Sequence, residues 1–171
     1  LEQLRLDATE YFKGRVIWLS YGIDPWDTYV QGRFLGNSRI AKCSHILKQK
    51  MAREWIDNNT ERENGVYYMG IDWTEEHRTA APRRNWAPAE IEYPLCDMDN
   101  FFSKESLLYE LEDLGIEIPE LYKLGFSHNN CGGFCCKAGQ GHFYNLAEKK
   151  PKLYAYHEAR ENELRELLGK D

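Results

Sequence analysis

The sequence predicts an α/β fold, because three short apolar runs alternate along the chain with longer segments of helical periodicity. With 171 residues, 42% hydrophobic content and 13% aromatic content, the chain is long enough for one domain with a sizeable core. We therefore expect a single domain over residues 1–171, with a cysteine-rich subregion at 125–143. Because the first residue is Leu1 and not methionine, we expect this domain to be a piece of a longer protein.

The three apolar runs predict strands, since they are rich in β-branched and aromatic residues. They are RVIWL at 15–19, VYYMGI at 66–71 and IEYPL at 91–95. A loop is expected from the first run through Asn37. A second long loop is expected at 72–88, where prolines and charges occur without periodicity, and such loops are often functional.

Three other segments predict helices, at 44–56, 103–115 and 151–168. A serine can cap each of the first two, a glycine follows the second and the third, and a proline suits the first turn of the third. Their apolar faces are Leu47, Met51 and Trp55; Leu107, Leu108, Leu111 and Leu114; and Leu153, His157, Leu164 and Leu168.

The charge balance argues against a protein that binds nucleic acid mainly by electrostatics, because 22 basic residues stand against 28 acidic ones. Arg78, Arg83 and Arg84 form the one dense basic patch. No segment reaches the ~20 apolar residues that cross a bilayer, and no signal peptide opens the chain. We therefore expect a cytoplasmic protein with no membrane partner.

Three of the five cysteines lie within six residues, as Cys131, Cys135 and Cys136 beside Gly132 and Gly133. Glycine accepts positive φ and lets backbone N–H groups turn toward thiolates, which suits the binding of a soft metal. An odd number of clustered cysteines does not fit the disulfide framework of a secreted domain. Reduced thiols or metal ligands are therefore expected here.

Three segments, in this order, resemble the phosphoadenosine phosphosulfate (PAPS) reductase-like branch of the PP-loop ATP pyrophosphatases. They are GNSRIAKCSHILK at 36–48, MGIDWTEEHR at 69–78 and the cysteine run at 131–136. The resemblance covers most of residues 15–170. It implies a parallel-sheet, adenine nucleotide alpha-hydrolase-like (PP-loop) layer fold with a helical, Cys-rich C-terminal part.

This chain departs from the family pattern at three points. The family's Ser-Gly-Gly-x-Asp-Ser phosphate loop is not found in these residues, so the resemblance implies an N-terminally incomplete fold. Asp72 follows Ile71 where the family has an arginine. The double cysteine of the iron–sulfur reductases is here Cys43 followed by Ser44.

The resemblance implies an enzyme that acts on an adenine nucleotide, in sulfur transfer to a nucleic-acid or protein acceptor or in reduction of a sulfonucleotide. ATP and Mg²⁺ are then further expected ligands. Arg39 and Lys48 are expected to meet an anionic group, Glu75 to orient a ribose or magnesium, and Arg78 to bind phosphate or sulfate. Trp73 and Trp86 are expected to stack on a base.

The expected metal ligands are Cys43, Cys131, Cys135 and Cys136, which supply four thiolates to an iron–sulfur (4Fe-4S) cluster. Three thiolates with His128 or His142 could instead hold zinc, and redox thiols or inert buried cysteines are the remaining readings. Cys43 or Cys136 is the expected nucleophile. Cys96 is expected in a core.

Two further interpretations concern the last predicted helix and the function class. His157, Glu158 and Glu161 have spacing compatible with metal binding, but we expect His157 to pack with one ring nitrogen satisfied and Glu161 to pair with Arg165. The competing function class is a non-catalytic module that a metal stabilises and that binds a nucleic acid or protein through the arginine patch.

Overall fold

The computed structural model describes residues 16–37, 39–97 and 102–169. The chain divides into two compact units, and each has its own core. The first unit is Leu1–Met51 with Leu114–Asp171, and the second is Ala52–Asp113.

The first unit begins its described helices with α1, Pro25–Gly32, where the sequence predicted a loop. The prediction was wrong because the start signal at Asp24 was missed. The Asp24 carboxylate accepts from the Asp27 backbone N–H at 2.9 Å, and the Asp27 carboxylate accepts from the Asp24 N–H at 2.8 Å. This reciprocal cap, with Pro25 in the first turn, satisfies N–H groups that would otherwise lack partners.

The predicted helix at 44–56 exists, but it is longer and irregular. It runs through α2 (Lys42–Ser44), a π-helical segment (His45–Lys50) and α3 (Met51–Asn59). Ser44 lies inside the helical run and makes no capping hydrogen bond, so the predicted N-cap was wrong. A π-helical turn is wider than an α-helical one, and such turns are frequent at functional sites.

The C-terminal part of the first unit is helical. Its helices are α6 (Glu120–Lys123), α7 (Gln140–Lys149) and α8 (Pro151–Leu168), with α7 packed on α8. The prediction of α8 is confirmed at both ends, and Gly169 takes φ 62° just beyond it. Among the described residues, two buried clusters form the core of this unit: Trp26, Tyr29, Cys43, Phe134 and Leu164; and Leu121, Phe126 and Leu146.

The second unit contains a parallel two-stranded sheet. Strands β1 (Val66–Tyr68) and β2 (Glu90–Glu92) pair with Tyr67 opposite Ile91. Both were predicted in the right place but too long. Buried Ala89, Ile91 and Tyr93 pack with partly buried neighbours as the core of this unit.

The chain between β1 and β2 is helical, so the loop predicted at 72–88 was wrong. A 3₁₀ helix, Trp73–Arg78, is followed by α4, Ala80–Trp86. The Asp72 carboxylate caps the first of these by accepting from the Thr74 N–H at 2.8 Å. Pro82 falls in the first turn of α4, where a missing N–H costs nothing.

The strand predicted at 15–19 is not formed over its described residues, 16–19. Val16 and Trp18 are 38% and 60% exposed, and no described segment pairs with them to satisfy a strand's backbone groups.

The helix predicted at 103–115 is confirmed as α5, Lys104–Asp113, with the Ser103 hydroxyl accepting from the Ser106 N–H at 3.1 Å.

Helices with a small parallel sheet agree with the predicted α/β class. The finer prediction of a PP-loop layer fold stays a prediction. None of the helices in the described ranges has both the length and the apolar character needed to cross a bilayer.

Candidate thiolate site

The structure brings Cys43 next to Cys136 of the late loop, although about ninety residues separate them along the chain. Cys43 is buried at 7% exposure and packs in the core cluster with Phe134, the residue that precedes Cys135 and Cys136. Cys136 packs against the same cluster and interacts with the Cys43 thiol. We call Cys43, Cys131, Cys135 and Cys136 the thiolate site.

The loop that carries three of these cysteines has a left-handed backbone over three consecutive residues. Cys131, Gly132 and Gly133 have φ values of 52°, 62° and 105°. The glycines therefore serve the conformational role that the sequence predicted, and Cys131 adopts the same region at some cost because it has a Cβ. Gly133 is also buried, and a Cβ there would lie 3.2 Å from Leu146 Cδ1.

His142 holds this loop from α7. Its Nε2 lies 2.7 Å from the Gly133 carbonyl oxygen, and its ring stacks on His128 at 4.8 Å between centroids. Because a carbonyl only accepts, Nε2 carries the proton and Nδ1 keeps its lone pair. This contact holds the loop, and zinc binding with His128 or His142 stays a prediction.

Tyr29 is a member of the site that the sequence reasoning missed. Its hydroxyl lies 3.3 Å from Cys43 Sγ and also interacts with Cys136, in a side chain that is only 1% exposed. Burial, and then contact with the Cys136 and Cys43 thiols, raise the pKa of Tyr29 above its ordinary value. No sequence signal marked this residue, because it lies in the segment predicted to be a loop.

Two thiols of the site, those of Cys131 and Cys136, have raised pKa values. Partial desolvation and then repulsion from Cys135 raise the pKa of Cys131 to about 11, although Lys48 opposes the shift. Burial likewise raises the pKa of Cys136, with the Tyr29 hydrogen bond opposing it and the neighbouring thiols adding to it. Without a cation, both thiols are therefore mostly protonated near pH 7.

No three His, Cys, Asp or Glu side chains within 16–37, 39–97 and 102–169 already stand so that together they could hold a metal ion. The sulfurs of the thiolate site interact with one another, but they are not gathered around one point. Metal binding would therefore require them to close in.

The residues predicted to bind a nucleotide divide between the two units. Arg39 and Lys48 belong to the first unit and are exposed. Lys48 lies near enough to lower the pKa of the Cys131 thiol, against the larger effect of burial. Arg39 donates its backbone N–H to the Asn37 side chain at 2.9 Å.

In the second unit, Arg78 forms an ion pair with Glu75. Both side chains are about half exposed. Arg83 stacks over the Tyr93 ring at 5.0 Å, so two arginines of the basic patch already have partners. Cys96, expected in a core, packs against the Tyr93 cluster and donates its thiol to the Ile71 carbonyl at 3.2 Å.

The prediction for His157 is confirmed. Its Nδ1 accepts from Trp26 Nε1–H at 3.0 Å, and its ring stacks on Phe134 at 4.2 Å between centroids. Glu161 accepts from Arg165 at 2.7 Å, as expected. Because Nδ1 uses its lone pair in this bond, Nε2 carries the proton of the neutral ring and a metal role is disfavoured. His157 also lines a cleft of about 410 Å³ along α7 and α8.

Comparison with protein families, with curated proteins and with solved structures gives no match for this chain.

Proposed function

We propose that the thiolate site binds a soft metal, as an iron–sulfur cluster or zinc, within a PAPS reductase-like enzyme that acts on an adenine nucleotide. The observation that carries the proposal is the packing of Cys43 against Cys136 in one unit, with Cys131 and Cys135 on the same loop as Cys136. Four thiol groups are a donor set suited to either metal. When bound, a cluster would supply electrons or a Lewis acid, whereas zinc would supply structure or a Lewis acid.

The raised pKa values support this reading in physical terms. Desolvation and the neighbouring thiols both disfavour ionised sulfur at Cys131 and Cys136. A cation that takes the place of the thiol protons offsets both effects, so metal binding stabilises the ionised form. The same shifts weaken Cys136 as an isolated nucleophile, because a thiol must ionise before it attacks.

The decisive experiment for the metal is anaerobic purification followed by iron, sulfide and zinc analysis and visible absorption. We expect either about four irons with a brown chromophore or about one zinc per chain, by the usual stoichiometry of such sites. Cys43→Ser and Cys131→Ser should each lower the metal content severalfold. Cys96→Ser is the matched control, since Cys96 lies in the second unit.

Two results would contradict the metal proposal. Wild-type protein that contains neither iron nor zinc after anaerobic purification and reconstitution would overturn it. Equal metal loss in Cys96→Ser and Cys43→Ser would show that the thiolate site is not the ligand set. A colourless protein with zinc and no iron would remove the iron–sulfur form and leave the zinc form.

The nucleotide part of the proposal is supported by the resemblance and by the exposed cations Arg39 and Lys48. We expect ATP or adenosine 5′-phosphosulfate to bind in calorimetry, and Arg39→Ala with Lys48→Ala to weaken that binding about tenfold or more. Lys137→Ala is a control, because Lys137 is an exposed lysine next to the same cysteine loop. A chain that binds metal but neither nucleotide would instead support the non-catalytic module.

A further inference from the structure

The Tyr29 hydroxyl contacts two of the four sulfurs of the thiolate site. The side chain extends from α1 into the core, and its ring meets Trp26 edge to face at 5.5 Å between centroids. Its hydroxyl lies 3.3 Å from Cys43 Sγ and also interacts with Cys136. A buried hydroxyl needs a partner, and here sulfur atoms provide it.

A second observation shows how closely this contact is built. A Cβ on Gly36 would lie 2.8 Å from Tyr29 Cε1, 2.9 Å from the Tyr29 hydroxyl and 2.9 Å from Cys136 Sγ. These distances are shorter than ordinary contacts, so position 36 has no room for a side chain beside the phenol and the sulfur. Glycine at this position therefore allows Tyr29 and Cys136 to come together.

We propose that Tyr29 is a positioning residue of the thiolate site, whose O–H donates a hydrogen bond to the sulfur of Cys43 or Cys136 when those sulfurs bind metal. The inference rests on the metal-binding function proposed above. A thiolate sulfur has no proton, so in the contact between them the phenol must be the donor. Hydrogen bonds to ligand sulfurs withdraw electron density and orient the ligands, which tunes both metal affinity and redox potential.

The role also distinguishes the four cysteines. The phenol reaches Cys43 and Cys136, which come from different parts of the chain, and so ties them together. Tyr29 therefore acts on these two sulfurs of the site.

The test is an anaerobic titration of the protein with cobalt(II), whose thiolate-to-metal absorption band reports directly on the sulfur ligands. Tyr29→Phe removes only the hydroxyl. We expect this variant to bind cobalt about tenfold more weakly, as for other groups that orient metal ligands, with a shifted band. Tyr93→Phe is the matched control, because Tyr93 is equally buried and its hydroxyl donates to the Thr79 carbonyl at 2.9 Å in the second unit.

A second variant keeps the test decisive if Tyr29→Phe fails to fold. Difluorotyrosine at position 29 keeps the ring and hydroxyl and is a stronger hydrogen-bond donor. We expect it to shift the cobalt band in the direction opposite to phenylalanine, while circular dichroism stays that of the wild type.

The outcomes separate the two proposals. If wild-type protein gives the thiolate band and neither variant at Tyr29 changes affinity or spectrum, the inference about Tyr29 is overturned and the metal site stands. If Tyr93→Phe changes the band as much as Tyr29→Phe, the effect is one of general stability and the inference is again overturned. If wild-type protein gives no thiolate band, both proposals fail.

Discussion

The two compact units place their reactive side chains in opposite settings. In the first unit, sulfur atoms from distant segments meet against a core of aromatic rings, and two of them have raised pKa values. In the second unit, the charged residues lie on an exposed 3₁₀ helix, where Glu75 and Arg78 pair with each other. The first arrangement therefore depends on packing, whereas the second depends on little beyond local backbone structure.

The largest loss of stability is expected from a cavity in either core. Leu164 is 1% exposed and packs in the cluster that contains Cys43, while Ile91 is 6% exposed in the core of the second unit. We expect Leu164→Ala and Ile91→Ala each to lower the free energy of unfolding by about 3 kcal/mol. Hydrogen exchange read by mass spectrometry locates the loss in one unit or the other.

The two cavities should differ in their effect on the thiols. Leu164→Ala should raise the alkylation rate of Cys43 severalfold, whereas Ile91→Ala should leave that rate unchanged. Similar rates in the two variants would contradict the view that only the first core protects Cys43.

A smaller difference in stability is expected when a Cβ is added at a glycine of each unit. An added Cβ would come within 2.8 Å of Tyr29 at Gly36 and within 2.8 Å of Tyr67 at Gly65. Tyr29 is locked in the core, but the contact at Gly65 is with the hydroxyl end of the half-buried Tyr67, which can move. We expect Gly36→Ala to cost about 2 kcal/mol in urea unfolding and Gly65→Ala to cost less than about 1 kcal/mol. A larger cost for Gly65→Ala than for Gly36→Ala would show that Tyr29 and Cys136 can move to make room for a methyl group.

A pH dependence is expected in the first unit through His157. Burial lowers the pKa of His157 below its ordinary 6.5. Below pH 6.5 the unfolded chain binds the proton more readily than the folded one, so stability should fall as pH falls through this range. His157→Asn offers an acceptor to Trp26 without titrating, and it should flatten the dependence between pH 7 and 5. An equally steep curve in this variant would assign the effect to other groups.

The smallest effect is expected at the exposed ion pair of the second unit. Arg78 and Glu75 are 54% and 45% exposed, so solvent screens their attraction. Glu75→Ala should change the free energy of unfolding by less than about 0.5 kcal/mol. The same variant should alter ATP binding if Glu75 contacts the nucleotide, and calorimetry measures that effect separately. A loss above 1 kcal/mol would mean that the pair is structural.

Local signals in the sequence predicted the helices that have clear ends. A proline in the first turn and a following glycine marked α8, and Ser103 marked α5, because these residues act within a few positions of themselves. Asp24 and Asp72 carry the same kind of capping signal, so the prediction of loops over α1 and the 3₁₀ helix was wrong although the sequence marks the start of both helices.

Other features depend on tertiary packing, which local sequence signals do not reveal. The apolar run at 16–19 resembles a strand, but a strand needs a neighbour, and neighbours are set by tertiary structure. The convergence of Cys43 with the late loop was expected from the resemblance, whereas the contact of Tyr29 with those sulfurs was not. A single tyrosine carries no pattern, and only packing reveals what its hydroxyl meets.

The left-handed backbone of Cys131 has a consequence for selection. An L-residue with φ of 52° is strained by ~1 kcal/mol or more, and glycine would relieve that strain. A library selected for thermal resistance alone should therefore drift toward glycine at position 131 and discard a thiol. A library that is also selected for metal retention should keep cysteine, so the residue recovered at this one position would record which pressure acts on the chain.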